Sequence, residues 1–384
     1  MKKDILIVAG EASADRYGAR LVERLRAMPG GDGLSFFGTG GDRMSGAGVR
    51  LLGHVRDLAH IGPKEAMAHL WAYYETFKQL GSESIRRRPA VALLLDFPEF
   101  NLRLAKKLKR AGIPVVYYIS PQLWAWRRDR IRSIQRYVDK MLVILPFEEE
   151  FYRRHGVRAE FVGHPILEEF RPDYDRCGFL TRLGLDPSIN TIALLPGSRR
   201  KEVHYILPEF ARAAGLIRSQ TGAQCLISVA PTISMGHIRE VLSGIMPGGL
   251  EEHGFRLVTA DSRDILANCD FAMVKSGTST LEAALVGTPF LIAYKLSAIS
   301  WAVGNRLINT PFKGLVNLIA GEEVVPEFMQ DEATAEALSA KAIEFLRRPE
   351  KASALRSRLG EIRQKLSSRC ATESVAAAVS NYLQ

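Results

Sequence analysis

No stretch of about 18 consecutive apolar residues occurs in the chain, so no segment of it reads as a membrane-spanning helix. Cysteine is scarce. Cys177, Cys225, Cys269 and Cys370 lie far apart, with no C-x-x-C pair and no histidine cluster beside them, which argues against a disulfide framework and against a zinc site. Several catalytic signatures are also missing. Neither H-E-x-x-H nor G-x-S-x-G is present, which removes the zincins and the usual serine hydrolase elbow. G-x-x-x-x-G-K-[ST] is absent, and "GTGGDRM" (38–44) has Arg43 where a dinucleotide fingerprint needs its last glycine. The N-terminal "MKKDILIVAGEAS" starts basic, but its apolar run is short and Glu11 and Asp15 interrupt it. It makes a poor signal peptide, and a cytoplasmic protein is expected.

What is present suffices for two soluble domains. The length of 384 residues exceeds what one compact core usually accommodates, and 47% hydrophobic with 24% charged residues provides material for two. The formal charge of +10 is unevenly placed. Residues 1–163 carry 28 Lys and Arg against 18 Asp and Glu, whereas 164–384 carry 24 against 24. A basic first half suits nucleic acid, an anionic membrane surface or a phosphorylated substrate, with solubility alone as the plainer explanation.

Short runs of Val, Ile and Leu alternate with helical patterns: "DILIVA" (4–9), "VALLLD" (91–96), "PVVYYIS" (114–120), "KMLVIL" (140–145) and "AEFVGH" (159–164). The rhythm restarts with "TIALLPG" (191–197) and continues through "CLISVAP" (225–231), "FRLVT" (255–259), "FAMVKSG" (271–277) and "PFLIAY" (289–294). Strands without polar alternation, separated by helix-length segments, predict parallel sheets covered on both faces. The expected fold class is therefore α/β with two Rossmann-like doubly wound domains, 1–163 and 164–349, followed by a helical tail. Residues 164–190 carry three prolines and read as the connection.

In open α/β sheets ligands bind outside the carboxyl ends of the strands, so the loops that follow them matter most. "PGSRRKE" after "IALL" turns on small residues into a helix, presenting backbone N–H groups around Gly197 and Ser198 with Arg199 beside them. That is a place for an anion. "KSGTSTLE" repeats the device: Ser276, Gly277 and Thr278 open a helix, and Glu282 follows one turn later on the same face, where it could accept two hydroxyl hydrogens of a ribose diol. For each loop taken alone, ordinary βα punctuation is the competing explanation. "DYD" (173–175) could hold Mg²⁺, but it follows a proline in the connection rather than a strand end, and no metal site is assigned.

With "GEAS", "SPQLWAW", "LLPGSR", "SGTSTLE" and "NLIAG" in order along essentially the whole chain, the sequence resembles the lipid-A-disaccharide synthases, inverting glycosyltransferases of the B-type fold. The resemblance implies two domains facing across a cleft, with C-terminal helices near 350–384 completing the first. It implies transfer of a diacylated glucosamine from UDP-2,3-diacylglucosamine to the 6-hydroxyl of 2,3-diacylglucosamine 1-phosphate, without a cofactor or metal. A sugar hydroxyl needs a base, and Asp96, ending "VALLLD", is the candidate, matching the family's proposed base. Glu99 and a capping role for Asp96 compete with that reading. Arg199 would stabilise the departing UDP. The resemblance also carries Asn317 of "NLIAG" into the donor site and Glu11 and Ser13 of "GEAS" into the cleft. Departures are Ala14 for a usual glycine, Glu99 where aspartate is common, and Lys275 ahead of Ser-Gly-Thr.

Acylated substrates imply peripheral attachment to the inner face of the inner membrane. In 64–80, Met67, Leu70, Trp71, Tyr74 and Phe77 make one apolar stripe, followed by "RRR" (86–88); core packing is the alternative. In "WAWRRDRIRSIQRY" (124–137), Trp124 and Trp126 with Arg127 and Arg128 are candidate acceptor or membrane contacts. Ile131 and Ile134 should face inward there, while Arg130, Arg132 and Arg136 add charge. Other UDP-sugar enzymes of the same fold, a peptidoglycan GlcNAc transferase or a UDP-GlcNAc 2-epimerase, are the alternative function. No nucleic-acid recognition motif is present, so nucleic acid is not an expected partner. A homodimer with exchanged C-terminal helices is compatible with the fold.

Overall fold

The computed structural model describes residues 3–59, 66–246, 249–297, 301 and 310–383, with only the backbone described at 59 and 66–70. The chain forms two compact units: Met1–Glu169 together with Leu366–Gln384, and Phe170–Lys365.

Among the described residues the first unit holds seven strands: β1 (Lys3–Ala9), β2 (Leu34–Gly40), β3 (Arg50–His54), β4 (Val91–Leu95), β5 (Val115–Tyr118), β6 (Lys140–Val143) and β7 (Ala159–Phe161). They pair in parallel in the order β3-β2-β1-β4-β5-β6-β7. All five residues of β4 are buried because helices cover both faces, which is why its sequence is uninterrupted Val, Ala and Leu. Helix Ala371–Ser380, from the far end of the chain, belongs to this core, where Val375, Ala376 and Val379 join Leu21, Val22 and Val91. Helix Pro349–Leu366 falls almost wholly in the second unit.

The second unit is a six-stranded parallel sheet of β8 (Thr191–Leu195), β9 (Gln224–Ser228), β10 (Phe255–Val258), β11 (Phe271–Lys275), β12 (Phe290–Tyr294) and β13 (Glu327–Met329). Its order is β10-β9-β8-β11-β12-β13. The connection between the units carries a short 3-10 turn, Pro165–Glu169, and a helix, Arg176–Arg182.

In each sheet the strand order reverses once, between β1 and β4 and between β8 and β11, and such a reversal opens a crevice at the carboxyl ends. Register fixes what stands there. Ala9 lies opposite Leu95, so Gly10–Glu11 and Asp96 leave the first sheet side by side. Leu195 lies opposite Val274, which brings the Pro196–Gly197 turn level with Lys275 and Ser276.

Candidate functional site

Asp96 and Phe97 both adopt left-handed backbone conformations, with φ of 47° and 48°, between the end of β4 and a helix that begins at Pro98. Left-handed geometry is strained for residues with a side chain, and here neighbours hold it. The Asp96 carbonyl accepts from Tyr117 Oη at 2.5 Å and from Asn101 Nδ2 at 2.7 Å, while its N–H donates to the Tyr118 carbonyl at 2.9 Å. Gly10 is required opposite: a Cβ there would lie 2.3 Å from the Phe97 ring. With the backbone fixed, the carboxyl sits in a largely dry position. Burial, reinforced by the neighbouring Glu11 charge, pushes Asp96 up to about 6, although the Phe97 N–H pulls the other way. Glu11 stands exposed at the N-cap of helix Ala12–Ala27, and Ser13 is half-buried in that helix's first turn.

Glu99 is placed differently. Its carboxylate accepts from Arg130 and, at 3.2 Å, from Arg127, and these guanidinium groups, Arg130 foremost, hold it below the usual carboxylate range. A carboxylate so paired is a weak proton acceptor, whereas one held near 6 is not. Arg130 is only 8% exposed, so the expectation that it contributes free surface charge is corrected: it is spent on Glu99.

The loop after β5 was expected to present Trp124. Instead Trp124 is buried, its indole N–H donating to Glu148 Oε1 at 3.0 Å and its ring meeting Phe147 edge-on. The same oxygen accepts from Ser120 Oγ at 2.8 Å, and Oε2 accepts the Leu145 N–H at 3.1 Å. Glu148 thus ties the β6 end to the "SPQLWAW" loop, and burial raises it to about 7 against the pull of those hydrogen bonds. Sequence reading missed Glu148 because nothing local distinguishes it from its acidic neighbours.

In the second unit, helix Arg200–Thr221 begins directly after the Pro196–Arg199 turn, and Gly197 has φ of 107°. Ser198 is exposed, its carbonyl accepting from Thr232 Oγ1 at 2.5 Å. Arg199 is 80% exposed and reaches Glu202 Oε1 at 3.1 Å. Lys275 Nζ meets the same oxygen at 2.9 Å. Burial would raise the Glu202 carboxyl, but Lys275 and then Arg199 outweigh it, and it lies below the usual range. Gly277 caps helix Thr278–Val286 across the crevice, with Thr278 exposed and Ser276 Oγ donating to the Lys313 carbonyl at 3.1 Å. Glu282, half-buried, accepts from Ser262 Oγ at 2.8 Å, and burial raises its pKa. The small-residue turns at the ends of β8 and β11 therefore lie side by side, with the Glu282 carboxylate one turn beyond the second.

Asn317 does not join them. It is fully buried, its Nδ2 donating to the Val325 carbonyl (2.7 Å) and Glu327 Oε1 (2.8 Å), its Oδ1 accepting the N–H groups of Val324 and Val325 at 2.9 Å each. The expected donor contact is corrected to a scaffold role: Glu327 also accepts from Lys313 N and Gly314 N, which sets the carbonyl that Ser276 uses. "DYD" is a helix start, with Asp175 accepting the Gly178 N–H at 2.9 Å and Asp173 the Asp175 N–H at 2.9 Å.

The expected apolar stripe divides. Trp71 and Tyr74 are exposed on helix Ala66–Arg87, while Phe77 turns inward and packs edge-on against Phe100. Met67 and Leu70 have side chains outside the described residues. Trp126 is 48% exposed, Ile134 is buried as expected, and Arg128 reaches the Trp124 carbonyl at 3.5 Å. Near Ile85, Arg88, Arg103, Lys106, Lys107 and Arg110 line an open groove of about 600 Å³.

A family model described as lipid-A-disaccharide synthetase matches residues 5–379. A lipid-A-disaccharide synthase of Koribacter versatilis is 45% identical over 97% of this chain and 95% of its own. Another, from Geobacter metallireducens, is 40% identical over 98% and 96%. Among solved structures, a UDP-GlcNAc 2-epimerase from Neisseria meningitidis bound to UDP-GlcNAc superposes with a TM-score of 0.65 at 10% identity over 98% of this chain and all of its own. A UGT transferase from Siraitia grosvenorii in complex with UDP gives 0.64 at 14% identity, covering both chains fully. At these identities the solved structures establish the architecture, that of the B-type glycosyltransferases.

Proposed function

The chain belongs to the lipid-A-disaccharide synthetase family, a family of hexosyltransferases in lipid A biosynthesis, and from that premise we propose how its residues divide the reaction. The donor is UDP-2,3-diacylglucosamine and the acceptor 2,3-diacylglucosamine 1-phosphate. Asp96 accepts the proton of the acceptor 6-hydroxyl as its oxygen attacks the anomeric carbon. The bond from that carbon to the β-phosphate oxygen breaks, its electron pair leaving with UDP. A single displacement of this kind inverts the anomeric centre. The observation that carries the assignment is a carboxyl held near 6 at the β1/β4 reversal, mostly ionised at neutral pH yet basic enough to take a proton. Gly197, Ser198 and Arg199 with Ser276, Gly277 and Thr278 receive the diphosphate, and Glu282 the ribose hydroxyls. Protein cations and N–H groups neutralise the leaving group, so no divalent ion is needed. Glu11 and Ser13 contact donor phosphate or sugar.

The acyl chains place the enzyme on the inner face of the inner membrane. Exposed Trp71 and Tyr74 and the basic groove support attachment through the first unit. The test is UDP release from the purified protein in detergent with both substrates, without acceptor, and with excess EDTA. Acceptor-dependent release indifferent to EDTA is expected. No release with both substrates present would refute the substrate assignment, and loss in EDTA would refute metal independence.

A further inference from the structure

We propose that Lys275 is a second diphosphate-binding cation, pre-positioned in the crevice, and that Glu202 occupies the anion's place until UDP arrives; this rests on the reading of the Pro196–Arg199 turn as the diphosphate site. The geometry carries it in three steps. Lys275 is the last residue of β11, level with the turn that ends β8. Its stem passes 3.3 Å from where a Cβ on Gly197 would lie, and its ammonium lies 3.6 Å from where one on Gly277 would lie. The ammonium is therefore between the two glycine turns, where a diphosphate bridging them would sit.

The charges are arranged as a placeholder requires. Arg199 and Lys275 converge on one oxygen, Glu202 Oε1, at 3.1 and 2.9 Å. One cation suffices to neutralise one carboxylate, and the second leaves a positive excess in the crevice. An ammonium has three donors, and Glu202 engages one of them. The two cations differ in exposure. Arg199 is 80% exposed at the surface, whereas Lys275 is 14% exposed and lies over the Tyr294 ring at 5.1 Å. A cation already held in place loses little freedom on binding, so Lys275 supplies the fixed part of the anion site and Arg199 the exposed part. As the glycosidic bond breaks, the β-phosphate gains charge beside an ammonium that need not move far to meet it.

Calorimetric titration of the full chain with UDP and with uridine, in wild type, Arg199→Ala, Lys275→Gln and Lys275→Arg, tests this, with thermal unfolding measured on each. Lys275→Gln should weaken UDP binding by roughly tenfold or more, the loss expected for a charge-assisted hydrogen bond, and leave uridine binding unchanged. Lys275→Arg should keep most of the affinity. Should Lys275→Gln fail to fold for want of a partner for Glu202, the double change with Glu202→Gln removes both charges and should show the same selective loss. Unchanged UDP affinity in Lys275→Gln, or equal losses for UDP and uridine, would overturn the proposal and leave Lys275 as a neutraliser of Glu202. No UDP binding by wild type, or none lost in Arg199→Ala, would instead overturn the underlying reading of the turn.

Discussion

Replacing Asp96 by Asn should abolish transfer and at the same time stabilise the fold. The folded carboxyl titrates near 6 against an unperturbed 3.8, so the native state holds its proton more tightly than the unfolded chain does. The stabilisation linked to that proton is fully present below about pH 4 and is lost as pH rises through 6. At neutral pH the ionised, dehydrated carboxylate thus costs on the order of 2–3 kcal/mol, which a neutral amide does not incur. Asn also tolerates the left-handed backbone at this position better than most residues. Unfolding at pH 7 should therefore occur several degrees higher in Asp96→Asn, with the difference vanishing near pH 4. Activity should fall by roughly a hundredfold or more, the usual contribution of a general base. In wild type, kcat/KM should drop about tenfold between pH 7 and pH 5, because the ionised fraction of a group near 6 falls from about 0.9 to about 0.1. Glu11→Gln, by removing a like charge, should move that acid limb to lower pH. Differential scanning calorimetry and a pH–rate profile measure both. An acid limb near 4 that Glu11→Gln leaves in place, or an Asp96→Asn protein less stable than wild type at pH 7, would refute the reasoning.

The remaining expectations are narrower. Gly10→Ala should cripple transfer, since its methyl would drive into the Phe97 ring and displace Asp96; a kcat within twofold of wild type would show that Phe97 can move. Asn317→Ala orphans the buried Val325 N–H and the half-buried Val324 N–H and should cost about 2–4 kcal/mol in urea unfolding, with UDP affinity of the folded fraction little changed; a large affinity loss at full stability would restore Asn317 to the donor site. Glu148→Ala strips partners from Ser120 and Trp124 and should likewise destabilise by about 2–4 kcal/mol, visible as a shift in Trp fluorescence and unfolding midpoint. Trp71→Ser with Tyr74→Ser should reduce sedimentation with anionic vesicles while leaving activity in detergent intact; undiminished sedimentation would move the membrane contact elsewhere.

How far the sequence could be read depended on how local each cause was. Most of the ten apolar runs were legible because a strand buried on both faces needs no partner-specific pattern, only continuous Val, Ile, Leu and Ala. Edge strands β3 and β13 were not, since RLLGH and EFM are short and half-exposed and gain their pairing from a neighbour rather than from composition. The Pro196–Arg199 and Ser276–Thr278 turns were legible as small residues entering helices, and Asp96 as the polar end of an apolar strand. Trp124 and Asn317 stand in motifs that suggest contacts, yet burial and their internal hydrogen bonds give them to the scaffold. Local pattern alone specifies two parallel-sheet units, the order of their strand-end loops and the residue types available at each crevice. Which carboxylate is the more basic and which cations meet one carboxylate depend on neighbours distant in sequence. Asp96 and Glu99 are three residues apart, and what separates them is burial beside Glu11 for one and the guanidinium groups of Arg130 and Arg127 for the other. Lys275 and Glu202 are 73 residues apart and meet only because β8 and β11 are neighbours in the sheet. Charge and solvation act through space over a few ångströms, and that distance is set by the fold rather than by spacing along the chain.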